Sequence, residues 1–318
     1  MTRSAPAAAR RAFTLVEILV ATAVMAILTG MVLGITTHVV RVWENASGSL
    51  SAENQAQLAL DALARDLETA VLRGDGDEWM QIAVEDGIGA GAFTAPSAVH
   101  LMFFTSAPDR PRLDAGGAPL RGGLTAVSYR LAYRDPFTNS GSGPYPRFGL
   151  YRAVMDPENT FTGILAAERQ EDLRGQVWNR DRPAGWTDLS RDGRNPSPRQ
   201  WSTDVANLLA GHVVEFDVRI RYVDTRGDAR GVRISGREGG RDRLRVGPTM
   251  EVDGTALPVG RMLEADVRLT ILTEEGAALL FRERDDIPGN DRGWTMEEII
   301  RREGETFTRR IAFFDDTL

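Results

Sequence analysis

From Phe13 to Ile35 the chain reads FTLVEILVATAVMAILTGMVLGI, a run whose single charge is Glu17. A helix that crosses a bilayer needs about 20 predominantly apolar residues, so this stretch is long enough unaided. Arg3, Arg10 and Arg11 precede it with no acidic residue among them, which sets the N-terminus on the cytoplasmic side and exports the remainder. Other readings fit less well. A secretory signal peptide has a shorter apolar core and a small-residue cleavage site behind it, and THVVRVWENASG offers no A-x-A. A plain anchor gives no reason for a carboxylate one turn inside the run, a group that costs roughly 2.5 to 3.5 kcal/mol at a helix centre. A buried helix of a soluble core leaves the basic flank without a role.

Behind this run the pattern stays helical. No proline occurs between Ile35 and Pro96, and Leu60, Leu63, Leu67 and Val71 recur at three and four residues, with Ala56, Ala59 and Ala70 widening the stripe. One helix from Phe13 to about Leu72 is expected, about 90 Å long at 1.5 Å per residue, with Gly30, Gly34 and Gly48 as places to bend. Its apolar stripe is expected to lie on a sheet. A coiled-coil stalk would need the repeat sustained over more heptads.

From Val99 the period becomes 2. VHLMFFT, LTAVSYRLAY and FGLYRAVM read as strands. The stretches Pro108 to Gly123 and Asp135 to Pro146 are rich in turn residues and read as loops, while Asp156 to Trp201 carries little pattern. In Val213 to Val223, the apolar Val214, Phe216, Val218, Ile220 and Tyr222 alternate with Glu215, Asp217, Arg219 and Arg221. That predicts one core face and one face in water. A turn at Asp224 to Asp228 leads to a return strand near Val232 to Ile234, Leu263 to Leu272 alternates again, and Phe307 to Phe314 closes the sheet. Thr295 and Glu298 have the spacing of a capping box for a short helix, Met296 to Arg302. The class is therefore α+β: a long N-terminal helix, its first half transmembrane, packed on an antiparallel or mixed sheet, with an additional strand-rich lobe.

The string RRAFTLVEILVA resembles the cleavage and methylation motif of type IV prepilins and type II secretion pseudopilins. Carried onto this chain, the resemblance implies a leader 1–12, cut between Ala12 and Phe13 by a prepilin peptidase, with Phe13 then N-methylated. Ala12 stands where the family usually has Gly. It further implies a transmembrane helix 13–37 in contact with lipid, its periplasmic continuation 38–72 and a β-rich soluble domain 73–318. Glu17 becomes the filament-assembly residue: its carboxylate meets the freed Phe13 amine of a neighbouring subunit, and a paired carboxylate escapes most of the desolvation cost of a lone one. The order of the later segments, from ALARDLETAV to LPVGRMLEADVRLTI, resembles the J-type minor pseudopilin. A minor pseudopilin at the tip of a periplasmic pseudopilus is therefore expected, held in the inner membrane and active in protein secretion. Its partners would be other minor pseudopilins or pilins, with secreted substrate or the secretin beyond them. The alternatives are a minor type IV pilin serving adhesion, motility or DNA uptake, and a membrane-anchored periplasmic enzyme or binding module.

Composition narrows the exported part. Among 318 residues, Lys plus Arg number 38 and Asp plus Glu 45, a net charge of -7. Since the leader is basic, the remainder is more acidic still, which argues against nucleic acid as a partner. There is no cysteine, which excludes disulfides and thiolate chemistry. His38, His100 and His212 are the three histidines and read as structural, and no H-E-x-x-H, G-x-S-x-G or Walker A string occurs. DGIGAGAF, Asp86 to Phe93, lacks dinucleotide-binding spacing and reads as a flexible loop. Acidic loops at Asp135, Asn139, Asp224 and Asp228, and at Asp285, Asp286, Asn290 and Asp291, offer oxygens to calcium but no EF-hand spacing, so solvated surface is the expectation. No cofactor, metal or catalytic residue is expected.

Overall fold

A computed structural model describes residues 15–71, 79–106, 112–113, 119–120, 123–138, 144–154, 157, 160, 205–247, 249–284 and 293–313. Helix α1 (Leu15–Glu68) is unbroken over 54 residues, through Gly30, Gly34 and Gly48. The chain divides into two compact units, the first ending at Ser47 and the second running from Gly48 to Leu318. In the first, Leu15–Val40 has a mean hydropathy of 2.5 and none of it is buried. In the second, Ala52, Ala56, Ala59, Leu60, Leu63, Ala64 and Leu67 form the buried stripe. The four alanines let the helix backbone come close to what it covers, and Leu63 and Leu67 each contribute roughly 1.5 to 3 kcal/mol of apolar burial.

The helix ends at Glu68 instead of Leu72 because the next residues pair with a sheet. Ala70 N–H still bonds the Leu67 carbonyl, but Val71 N–H donates to Phe104 O at 2.9 Å, and Ala70 bridges Thr105.

The strands are β1 (Met80–Val84), β2 (Gly89–Ala90), β3 (Phe93–Thr94), β4 (Val99–Thr105), β5 (Arg112–Leu113), β6 (Pro119–Leu120), β7 (Thr125–Arg134) and β8 (Arg147–Val154). There follow β9 (Leu208–Gly211), β10 (Val213–Asp224), β11 (Ala229–Ile234), β12 (Arg243–Val246), β13 (Met250–Val252), β14 (Thr255–Leu257), β15 (Val259–Leu272) and β16 (Gly304–Ala312). Eight make one sheet in the order β14-β13-β12-β1-β4-β7-β8-β9, and four make another in the order β11-β10-β15-β16. All pairings in both are antiparallel. The α1 stripe shares one core cluster with Leu101, Phe103, Val127 and Tyr129 of the larger sheet and Phe216, Ile220, Val267 and Leu269 of the smaller. A long apolar helix followed by antiparallel sheets is the α+β class, and it is consistent with a pilin-like fold.

Two short helices complete the second unit, α2 (Glu274–Arg284) and α3 (Met296–Glu303). The capping box at α3 is formed: Glu298 N–H donates to Thr295 Oγ1 and Thr295 N–H donates to the Glu298 carboxylate at 2.9 Å. The Thr295 N–H and the Thr295 hydroxyl, which also donates to that carboxylate at 2.9 Å, hold the Glu298 carboxyl below its ordinary value. Leu280 of α2 and Ile299 and Ile300 of α3 join Phe148, Val214 and Leu272 in a second cluster. Val214 falls there because the β10–β15 register slips between Val213 and Glu215, and one bulged residue exchanges the faces of a strand.

Three further sequence expectations are corrected. The stretch Pro108 to Gly123, read as a loop, contains a short antiparallel pairing of β5 with β6. The polar face of β10 does not simply meet water: Glu215 is 1% exposed and Asp217 3%, because arginines and hydroxyls enclose both. DGIGAGAF is no loose loop but holds most of a small hairpin, β2 against β3, turned through Gly91 at φ 58°.

Candidate functional site

Of the three residues assigned to processing and assembly, Ala12 and Phe13 lie outside the described residues. Glu17 stands in the first turn of α1, exposed. Around it Leu15, Val16, Ile18, Leu19 and Val20 are more than half exposed, so the charge sits in a continuous apolar surface. The polar groups further along this surface are satisfied within the helix. Thr29 and Thr36 hydroxyls donate to Met25 O and Val32 O, both at 2.8 Å, while Thr22 and Thr37 reach Leu19 O and Gly34 O. In hydrocarbon an unsatisfied hydroxyl would cost free energy, so threonines folded back on the helix suit a lipid-facing surface.

In the second unit the helix is fixed by polar contacts as well as by its stripe. Arg152 of β8 donates to both oxygens of Asp66, Nε to Oδ2 at 2.7 Å and Nη2 to Oδ1 at 2.8 Å, and Tyr129 OH donates to Oδ2 at 2.6 Å. Burial and the Asp66 carboxylate push the Tyr129 hydroxyl well above its ordinary value, so it remains a donor. Thr105 Oγ1 donates to Asp66 O, Gly211 N–H donates to Gln55 Oε1 at 2.8 Å, and Arg309 pairs with Asp61. Helix α1 is thereby tied to β4, β7, β8, β9 and β16. Sequence reasoning passed over Asp66, although a signal exists: it falls between Leu63 and Leu67 on the apolar stripe, where a carboxylate requires a partner.

A second polar group ties the smaller sheet to the segment that leads into β4. Glu215 accepts from Arg237 and from Thr270 Oγ1 at 2.7 Å. Asp217 accepts from Arg233 Nη2 at 2.6 Å and from Ser97, whose carbonyl also accepts from Phe216 N–H. Nearby, Arg130 holds Glu85 at 2.7 Å, and His100 lies beside that carboxylate with its Nε2 2.7 Å from Ser128 Oγ. Burial lowers His100 to about 4 against the pull of Glu85, so it is neutral near pH 7.

A cleft of 310 Å³ is lined by Tyr145 and Phe281, stacked at 6.3 Å, together with Arg147, His212 and Glu274. His212 holds φ at 57°. The cause is its place at the corner between the sheets, where its N–H bonds Phe148 O and its carbonyl takes the Leu272 N–H. Burial, then Arg147, lowers its pKa. Among the described residues, the cleft lining contains no serine, threonine or cysteine for this imidazole to activate.

The acidic loops considered for calcium are organised by backbone donors. Asp135 accepts from Phe137, Thr138 and Tyr145 N–H, and Asp224 from Arg226 and Asp228 N–H with Arg230 beside it. At Asp224 the Asp228 amide leads in holding the carboxyl below its ordinary value. At Asp135 the three amides outweigh the burial that opposes them. No cluster of metal-ligating groups occurs among the described residues; 285–292 lie outside them.

Against known families, residues 8–33 match the prokaryotic N-terminal methylation motif. No curated protein and no solved structure matches the chain. The motif is a type IV pilin- or pseudopilin-like signal; it implies processing by a prepilin peptidase and assembly with pilin-like subunits, and the apolar helix that it opens is consistent with membrane anchoring of a prepilin-like protein.

Proposed function

We propose that this protein is a minor pseudopilin of a type II secretion system, a structural subunit at the tip of a pseudopilus, anchored in the inner membrane with its β-rich unit in the periplasm. The observation that carries the reading is the methylation motif at 8–33 opening a helix whose far end, from Ala52 to Leu67, forms one wall of a globular core. A subunit built in this way can leave lipid for a bundle of like helices with its apolar surface covered throughout. Its globular unit is then carried on a helix that buried contacts hold in place. The role is assembly, without turnover. Engagement of His100 by Ser128 and Glu85, and of His212 by the sheet corner, supports structural duties for both histidines.

The test is disruption of the gene followed by assay of exported proteins, together with affinity purification of the membrane-extracted chain. Loss of secretion and recovery of other pseudopilins support the reading. Intact secretion with loss of surface pili, or recovery of pilus subunits instead, assigns the chain to a type IV pilus.

A further inference from the structure

The outward face of the four-stranded sheet carries more positive charge than its own carboxylates neutralise. Across the strands, Arg233 stands opposite Arg219, Arg219 opposite Asp266, and Asp266 opposite Arg310. On the next outward row Asp217 stands opposite Arg268. These residues line a groove of 300 Å³. Two of its arginines are committed, Arg233 to Asp217 and Arg310 to Asp266. The other two are not. Arg219 is exposed and pairs with no carboxylate among the described residues. Its guanidinium lies across Gly231, where even a Cβ would come within 2.8 Å of Nε. Arg268 approaches Glu215 only at 4.0 Å, and its Nε is buried without a hydrogen-bond partner. The Arg268 side chain as a whole is 39% exposed, so the outer part of its guanidinium, unlike the buried Nε, is open to an incoming acceptor, and charge-assisted hydrogen bonds there are the strong ones.

We propose that this groove is a docking site for an acidic peptide segment of a partner protein, whose carboxylates bind Arg219 and Arg268. The chemistry of the face favours carboxylates carried on a chain over other anions. Phosphate cradles present free backbone N–H groups in a loop or at a helix start, whereas the residues lining this groove all lie on strands. Single-stranded nucleic acid is held by aromatic platforms, and the groove lining has none among the described residues. Planar guanidinium forks match carboxylates with two parallel hydrogen bonds. Four strands at about 4.8 Å spacing make a row some 14 Å across, and alternate residues of an extended peptide stand about 7 Å apart, so such a segment can present two carboxylates to one face.

The experiment uses the full chain in non-ionic detergent and a fluorescein-labelled oligoglutamate peptide, followed by fluorescence anisotropy. The peptide binds, salt weakens the binding, and Arg219→Ala weakens it about tenfold, while Arg226→Ala in the neighbouring turn leaves it unchanged. Gly231→Val, which displaces the Arg219 guanidinium, weakens it as well. Arg219 makes no hydrogen bond that the fold needs, so its removal leaves thermal unfolding unchanged. Absence of binding overturns the proposal. So does binding that Arg219→Ala does not alter, or displacement of the peptide by pyrophosphate or single-stranded DNA more readily than by unlabelled peptide.

Discussion

Arg152 grips both carboxylate oxygens of Asp66, at 2.7 and 2.8 Å, and so joins helix α1 to strand β8 inside the core. Asp66 is 3% exposed, and Tyr129 completes its hydrogen bonding. Truncating one member of a buried pair strands the other charge, which typically costs about 3 to 5 kcal/mol. Asp66→Ala is therefore expected to destabilise the globular unit by an amount in that range, read by urea unfolding. Asp66→Ala and Arg152→Ala together are expected to cost less than the sum of the two, with a coupling of at least about 1 kcal/mol. Simple additivity would show that the pair does not act as a unit.

The buried stripe of α1 predicts where the chain can be shortened. A fragment 48–318 retains Ala52 to Leu67 and is expected to unfold cooperatively and to elute as a defined species in size-exclusion chromatography. A fragment 73–318 uncovers the sheet residues that the stripe packs against. At roughly 25 cal/mol per Å² that loss rivals the whole stability of a domain, and the fragment is expected to aggregate. Within the longer fragment Leu63→Ala is expected to cost about 2 to 5 kcal/mol. A shorter fragment as stable as the longer one would refute the packing described for α1.

Much of this fold was legible in the sequence because single faces dictate it. The spacing of Leu60, Leu63 and Leu67 requires a helix with one buried side, the alternation of Val218, Ile220 and Tyr222 requires a strand, and Thr295 with Glu298 marks the start of α3. Other parts depend on tertiary partners that lie far off in the chain. Glu215 and Asp217 read as solvent-facing because Arg237, Arg233, Thr270 and Ser97, which enclose them, come from separate segments. Strand β1 and the β12–β14 meander were missed because strands of three to five residues are too short for a period to emerge. Helix α2 was missed because Gly276 stands where a capping box needs Glu or Gln, so Thr273, whose Oγ1 accepts from Gly276 N–H, carries only half of the signal that marks α3. For the candidate site, Glu17 was conspicuous as the single charge of an apolar run, whereas the unpaired state of Arg219 and the long 4.0 Å pairing of Arg268 with Glu215 appear only once the strands are in register.

His100 predicts a pH dependence. Its folded pKa of about 4 lies below the ordinary 6.5, so the unfolded chain binds the proton first as pH falls. The stability it contributes is complete above pH 6.5 and is lost between there and about pH 4, amounting to about 3 kcal/mol at most. His100→Gln is expected to flatten the unfolding midpoint over that window, with Glu85, Arg130 and Ser128 left in place. An unchanged slope in the variant would place the titrating group elsewhere.

Glu17 is expected to matter for assembly and not for insertion. Glu17→Ala removes the charge from an apolar surface, so membrane insertion is expected to be unimpaired, while recovery of pilin-like partners in co-purification falls because a neighbour's Phe13 amine loses its anion. Full recovery of the partners would show that another contact holds the subunit.

The central claim, that this is a processed pilin-like subunit, is tested most directly by intact-mass measurement on the chain extracted from membranes of cells with an active prepilin peptidase. The predicted mass is that of residues 13–318 bearing one added methyl group on the Phe13 amine, and Ala12→Gly leaves that result unchanged. Recovery of the unmodified chain from Met1, under the same conditions, would contradict the account.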